Sequence, residues 1–184
     1  MKKDTIFQFV CFITNLPVDE FSPKWEHYAK RLMNKRTEPA LLQQVAGTKN
    51  RFRYVSKHEW PDKDFQFSFM DERRSEHFPE HNVKVVQTGG YVPLYVEKRH
   101  PEEDGDVTLI TFISHNENDI EFYRRLTLYS HLNIYQAFYE SCSYGYVLEF
   151  SASEKDADEL LFQLKQRPCA TETGIYKECF VPHA

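Results

Sequence analysis

Along this chain, runs in which apolar and polar residues alternate are separated by runs with helical spacing, and that succession occurs twice. From Ile6 to Thr14, Phe7, Phe9, Cys11 and Ile13 fall on one side, with Gln8, Val10 and Phe12 on the other. A period of two predicts a strand. Asn15-Leu16-Pro17 ends it. Ser22 then reads as a helix N-cap with Pro23 at the first helical position, followed by Trp25, Tyr28, Ala29 and Leu32 at helical spacing. Pro39 interrupts, and Ala40 to Val45 predicts a second short helical piece before Gly47. Arg51 to Trp60 and Phe65 to Met70 alternate on either side of the turn residues Pro61-Asp62-Lys63-Asp64, which predicts a hairpin. Arg73 to His81 is polar and contains Pro79, a poor helix or a loop. Val83 to Lys98 is β-rich, with Gly89-Gly90 marking a bulge or bend.

After His100-Pro101-Glu102-Glu103-Asp104-Gly105-Asp106, the best linker in the sequence, the pattern restarts. Val107 to Ser114 alternates. Asn118 or Asp119 can cap a helix running to about Tyr129, with Ile120, Tyr123 and Leu126 on its inner face. Asn133 to Tyr139 and Tyr144 to Ser151 alternate around Ser141-Cys142-Ser143. Ser153, with Asp156 three residues on, opens a helix whose buried face is Leu160, Leu161 and Leu164. Pro168 stops it, and Gly174 leads into a last strand through Val181.

The second half therefore reads β-α-β-β-α-β, and the first follows the same order with a degenerate second helix. The fold class expected is α+β: two ferredoxin-like βαββαβ halves with antiparallel sheets, residues 1–99 and 107–184. The paired hairpins (Phe52/Tyr54 with Phe65/Phe67, Ile134/Gln136 with Tyr144/Tyr146) and the amphipathic helices after Ile13 and Ile113 carry a resemblance to the dimeric α+β barrel superfamily, in the version where duplication fuses both halves in one chain. That superfamily includes small monooxygenases, isomerases and haem-handling enzymes. The resemblance is one of architecture, and implies a barrel without assigning an activity.

Composition narrows the function classes. A formal net charge of -5 and only short basic strings, such as Lys49-Asn50-Arg51-Phe52-Arg53, speak against nucleic-acid binding. The apolar N-terminal run is too short for a membrane span. Cys11, Cys142, Cys169 and Cys179 share no CxxC spacing, so reduced thiols in a cytoplasmic protein are expected. His77 and His81 are four apart, but Pro79 lies between them and no third ligand is indicated, so no metal and no cofactor are expected.

Site candidates follow from the sheet faces. If the mixed faces line a barrel interior, Arg53 could hold an acidic or carbonyl group, with Gln8, Gln66 and Tyr135 as further ligand-binding residues. Glu149 and Glu178 could accept protons or neutralise Arg53, and His58 could shuttle a proton near neutral pH. The leading expectation is a homodimer that binds a small organic molecule inside the barrel, as a cofactor-independent oxygenase or isomerase. A protein-interaction scaffold is the alternative. So is a haem protein, with His27 or His131 as the axial ligand.

Overall fold

The computed structural model of the protein describes residues 5–33, 39–45, 50–64, 66, 78, 81–99 and 105–180. Its elements are β1 (Ile6–Ile13), α1 (Val18–Met33), β2 (Ala40–Gln44), β3 (Tyr54–Trp60), β4 (Lys84–Lys98), β5 (Val107–Ile113), α2 (Glu121–Arg125), β6 (His131–Ala137), β7 (Tyr146–Ala152), α3 (Glu154–Lys165) and β8 (Ala170–Phe180). The eight strands close into one barrel in the order β1-β3-β2-β8-β5-β7-β6-β4, every pairing antiparallel. Within each half the order is fourth, first, third, second strand, the ferredoxin-like arrangement. The halves join edge to edge through β2–β8 and β4–β6. Closure thus leaves every strand paired on both sides within the chain.

The second half has the predicted order of elements, but α2 is capped at Ile120 and stops at Arg125 because Leu126 is already extended (φ −59°, ψ 146°), and β8 starts at Ala170, ahead of Gly174. Ser153 caps α3, its Oγ accepting from the Asp156 amide at 3.2 Å. Ala157, Leu160, Leu161 and Leu164 are buried among Leu109, Ile134, Leu148 and Phe150 of the sheet.

The first half departs from the pattern in three places. Ala40–Gln44 is a strand, not helical, because β3 and β8 both pair with it. The hairpin partner of β3 is therefore β2, not residues 65–70. Lys63, Asp64 and Gln66 are helical, where the degenerate second helix belongs; residues 65 and 67–70 lie outside the described residues. Finally, α1 starts at Val18 rather than after Ser22. The Pro17 carbonyl accepts from Phe21 N at 2.9 Å, and Pro23 forgoes one hydrogen bond inside the helix. Phe21, Trp25 and Ala29 of α1 pack on Val10, Phe12 and Tyr54, with the Phe21 and Tyr54 rings stacked at 4.1 Å.

The mixed face of β1, with Gln8, Val10 and Phe12, is not the one that lines the barrel interior. Phe7, Phe9 and Cys11 point into the barrel with Phe52, Val55, Tyr91, Ile110, Phe112, Tyr135, Val147 and Tyr176, all buried. Val10 and Phe12 face the helix layer. A barrel wrapped in helices buries both faces of β1, so alternation could not tell inside from outside. Gly89, at φ +116°, forms the expected bulge opposite β1, where the register shifts between Gln8 and Val10.

Candidate functional site

The barrel centre is occupied by aromatic rings. Phe9 lies 5.4 Å from Tyr135, 6.0 Å from Tyr91 and 6.3 Å from Phe112; Phe7 lies 4.9 Å from Tyr135, and Phe112 4.9 Å from Tyr144. Below them Lys57 of β3 meets Glu149 of β7 at 2.7 Å, across the two halves. Glu149 also accepts from the Tyr135 hydroxyl at 2.9 Å and Asn133 Nδ2 at 3.1 Å. Burial works against its ionisation, but Lys57 and these donors hold its carboxyl below the usual carboxylate range.

At the opposite rim, loops at the strand ends surround a cavity of about 430 Å³ lined by Arg51, Ser114, His115, Asn116, Ser143, Tyr144, Thr171 and Glu172. Arg51 precedes β3, Ser114 to Asn116 follow β5, Ser143 and Tyr144 precede β7, and Thr171 and Glu172 open β8. Both halves contribute, because the barrel brings these ends to one rim. Arg51 Nε sits 2.6 Å from Glu172 Oε1, and Arg51 donates a second hydrogen bond to the Tyr144 hydroxyl at 3.1 Å. Burial pushes the Glu172 carboxyl above its ordinary range, and Arg51 offsets this only in part. Burial likewise pushes the Tyr144 phenol up, against the pull of Arg51, so it keeps its proton at neutral pH. His115 is fixed by a 2.9 Å bond between Nε2 and the Cys142 carbonyl. Gly145 lets that turn approach the His115 loop, since a Cβ there would stand 2.8 Å from the His115 Cα. The Cys11 thiol is buried and pushed well up by that burial, which marks it as unreactive.

The sequence candidates are dispersed around this framework. Tyr135 and Glu149 do face the barrel interior and bond each other. Glu178 is exposed on β8. Arg53 is half-buried beside the Tyr54 ring, 5.9 Å from its centroid, and lies apart from Glu149. Gln8, His58 and Gln66 share the outer face of the first sheet, behind the barrel wall. Gln8 and Gly90 are register partners, as are Gln8 and His58. The Gln66 amide rests against Gly90, and Trp60 Nε1 donates to Gln8 Oε1 at 3.1 Å. His81 is exposed, and His77 lies outside the described residues. Arg51, the other half of the basic pair, is the residue that reaches the cavity. Tyr144, Glu172 and His115 were not singled out from sequence, although Glu172 is in phase with inward-facing Tyr176 on an alternating strand.

His58 is 1% exposed. Trp25 Nε1 donates to Ser56 Oγ at 3.1 Å, and Ser56 Oγ lies 2.7 Å from His58 Nε2, which ties α1 to the sheet. Burial lowers the His58 pKa from 6.5 to about 3. The unfolded chain therefore takes up a proton that the folded chain refuses across that window. Folding stability should fall as pH drops from 6.5 towards 3, by up to about 1.4 kcal/mol per pH unit. Denaturant unfolding of wild type and His58→Gln over this range checks it: the wild-type curve should carry this extra slope, and parallel curves would refute the assignment.

A haem iron takes an axial side chain facing a cavity that admits the macrocycle. His27 is exposed on α1, and His131 Nε2 engages Asn133 Oδ1 at 3.0 Å. His115 lines the rim cavity, with its Nε2 bonded to the Cys142 carbonyl and the Arg51–Glu172 ion pair beside it. Neither of the two histidines expected as axial ligands, His27 and His131, lines the rim cavity. Among the described residues, no three His, Cys, Asp or Glu side chains converge to hold a metal ion, and no helix is long and apolar enough to cross a membrane.

No known family model matches the chain, and no curated protein matches it in sequence. Solved structures match it in shape. An anthrone oxidase-like protein superposes with a TM-score of 0.59 at 9% identity, over 98% of this chain and 93% of that one. A variant of chlorite dismutase from Candidatus Nitrospira defluvii in complex with cyanide gives 0.57 at 8% identity, over 98% and 92%. The same organism's enzyme in complex with imidazole gives 0.55 at 9% identity, over 96% and 92%. At these identities the likeness establishes the fold: an α+β barrel of two ferredoxin-like halves, the architecture of the dimeric α+β barrel proteins.

Proposed function

We propose that this protein binds a small organic acid in the rim cavity, with Arg51 as the anion-holding group. The observation that carries the reading is the disposition of Arg51. Its Nε and one terminal nitrogen are engaged by Glu172 and Tyr144, its other terminal nitrogen makes no bond to the described residues, and Arg51 lines a cavity of about 430 Å³. A planar guanidinium with an open edge suits a carboxylate. The seat is the barrel rim rather than its centre, where aromatic side chains fill the space. Cytoplasmic residence suits four free cysteines, two of them buried.

Calorimetric titration with α-ketobutyrate tests this reading. Saturable binding is expected, weakened at least tenfold by Arg51→Gln with the fold intact by circular dichroism. Equal affinity in the variant would remove Arg51 from the site.

A homodimer is a second reading, favoured by Leu94 and Val96, which stand 50% and 51% exposed two residues apart on one face of β4. Sedimentation equilibrium should give a dimer that Leu94→Lys/Val96→Lys dissociates; a monomeric wild type ends the idea.

A further inference from the structure

Three side chains at the rim cavity each keep one hydrogen-bonding position open. Arg51 has its free terminal nitrogen. The Tyr144 hydroxyl accepts from Arg51 at 3.1 Å, so its own hydrogen remains to be donated. Glu172 uses Oε1 on Arg51 at 2.6 Å, and Oε2 has no partner among the described residues. A cation, a neutral donor and a carboxylate acceptor thus share one cavity, linked to one another through Arg51 and walled by Ser114, His115, Ser143 and Thr171.

We propose that this trio makes the cavity a proton-transfer site for an enolisable carbonyl compound that carries an acidic group, with Glu172 as the general base. The inference rests on the rim cavity being the ligand site. The substrate carboxylate lies on the open edge of Arg51, and its carbonyl oxygen accepts from the Tyr144 hydroxyl. Glu172 Oε2 takes a proton from the carbon beside the carbonyl. The C–H bond breaks, its electron pair forms a carbon–carbon double bond, and the carbonyl oxygen becomes an enolate oxygen bonded by Tyr144. Return of the proton from Glu172 to the same carbon gives hydrogen exchange; delivery to another carbon gives an isomer. No electrons leave the substrate, so neither oxidant nor cofactor is required. The environment suits the roles: burial raises the basicity of Glu172 and keeps Tyr144 protonated as a donor.

The test is proton NMR of α-ketobutyrate with the protein in deuterium oxide, alongside calorimetric binding of the same compound. Wild type should exchange the methylene protons beside the carbonyl at least about 100-fold faster than buffer. Glu172→Gln should lose about 100-fold of that acceleration while still binding. Glu172→Asp should recover part of it, and Tyr144→Phe should lose about tenfold. Thermal melts identify any variant that fails to fold, in which case Glu172→Asp and Tyr144→Phe carry the comparison. Binding without exchange, or exchange unaffected by the Glu172 substitutions, overturns proton transfer and leaves the binding site standing. Absence of binding overturns both.

Discussion

Replacing Lys57 by Met should destabilise the barrel by about 3 kcal/mol in urea unfolding at neutral pH. Lys57 and Glu149 belong to different halves, meet at 2.7 Å, and have side chains only 23% and 12% exposed. Without Lys57 the carboxylate keeps its bonds from Tyr135 and Asn133 but loses its counter-charge in a largely dry interior. The sign of the pH effect follows. In wild type the Glu149 pKa is depressed, so its contribution is present above the unfolded value and lost as pH falls through the folded one. In Lys57→Met burial dominates and the folded pKa rises, so the deficit should shrink on acidification. Lys57→Met/Glu149→Gln keeps the two hydrogen bonds without the charge and should recover more than half of the loss. A cost below about 1 kcal/mol, independent of pH, would mean that solvent screens the pair as it does on a surface.

Phe9→Ala should cost about 3–5 kcal/mol, the range for deleting a fully buried aromatic side chain. Phe9 is 0% exposed and touches the rings of Tyr91, Phe112 and Tyr135, which come from both halves. The space left is apolar, so it should stay dry and take up xenon or benzene, which thermal shifts or a xenon-pressurised crystal would register. A cost near 1 kcal/mol would contradict a filled centre and return the barrel interior to consideration as a pocket.

The second half of the fold was legible because each local signal agreed with its tertiary role. Ser153 caps, Leu160, Leu161 and Leu164 make one stripe, and Pro168 stops the helix. The first half misled for identifiable reasons. Ala40-Leu41-Leu42-Gln43-Gln44 has no alternation and becomes a strand only because two neighbours need a partner. Phe65 to Phe69 alternates like a strand, yet Lys63, Asp64 and Gln66 are helical, and β3 finds its partners in β1 and β2. In β1 both faces are apolar, so inside and outside were interchangeable until the helices were placed.

The candidate site was legible only in outline. The basic pair Arg51/Arg53 stood out by composition, but choosing between the two requires the rim, where residues before β3 meet the start of β8. Glu172 is distant from Arg51 in sequence and carries no motif. Period two alone could have placed it with Tyr176 on the inward face. Gln8 and Gln66 belong to mixed sheet faces that could have lined the barrel, and His58 is a group that ordinarily titrates near neutral pH; in the structure they occupy the layer behind the barrel wall, where His58 joins α1 to β3 through Ser56 and Trp25.

The central claim, that the ligand seat is the rim cavity, is tested most directly by mapping backbone amide shifts during titration with α-ketobutyrate. Saturable shifts should concentrate at Arg51, residues 114–116, Ser143, Tyr144, Thr171 and Glu172. Shifts centred instead on Lys57, Tyr135 and Glu149, or no saturable shift at all, would contradict it.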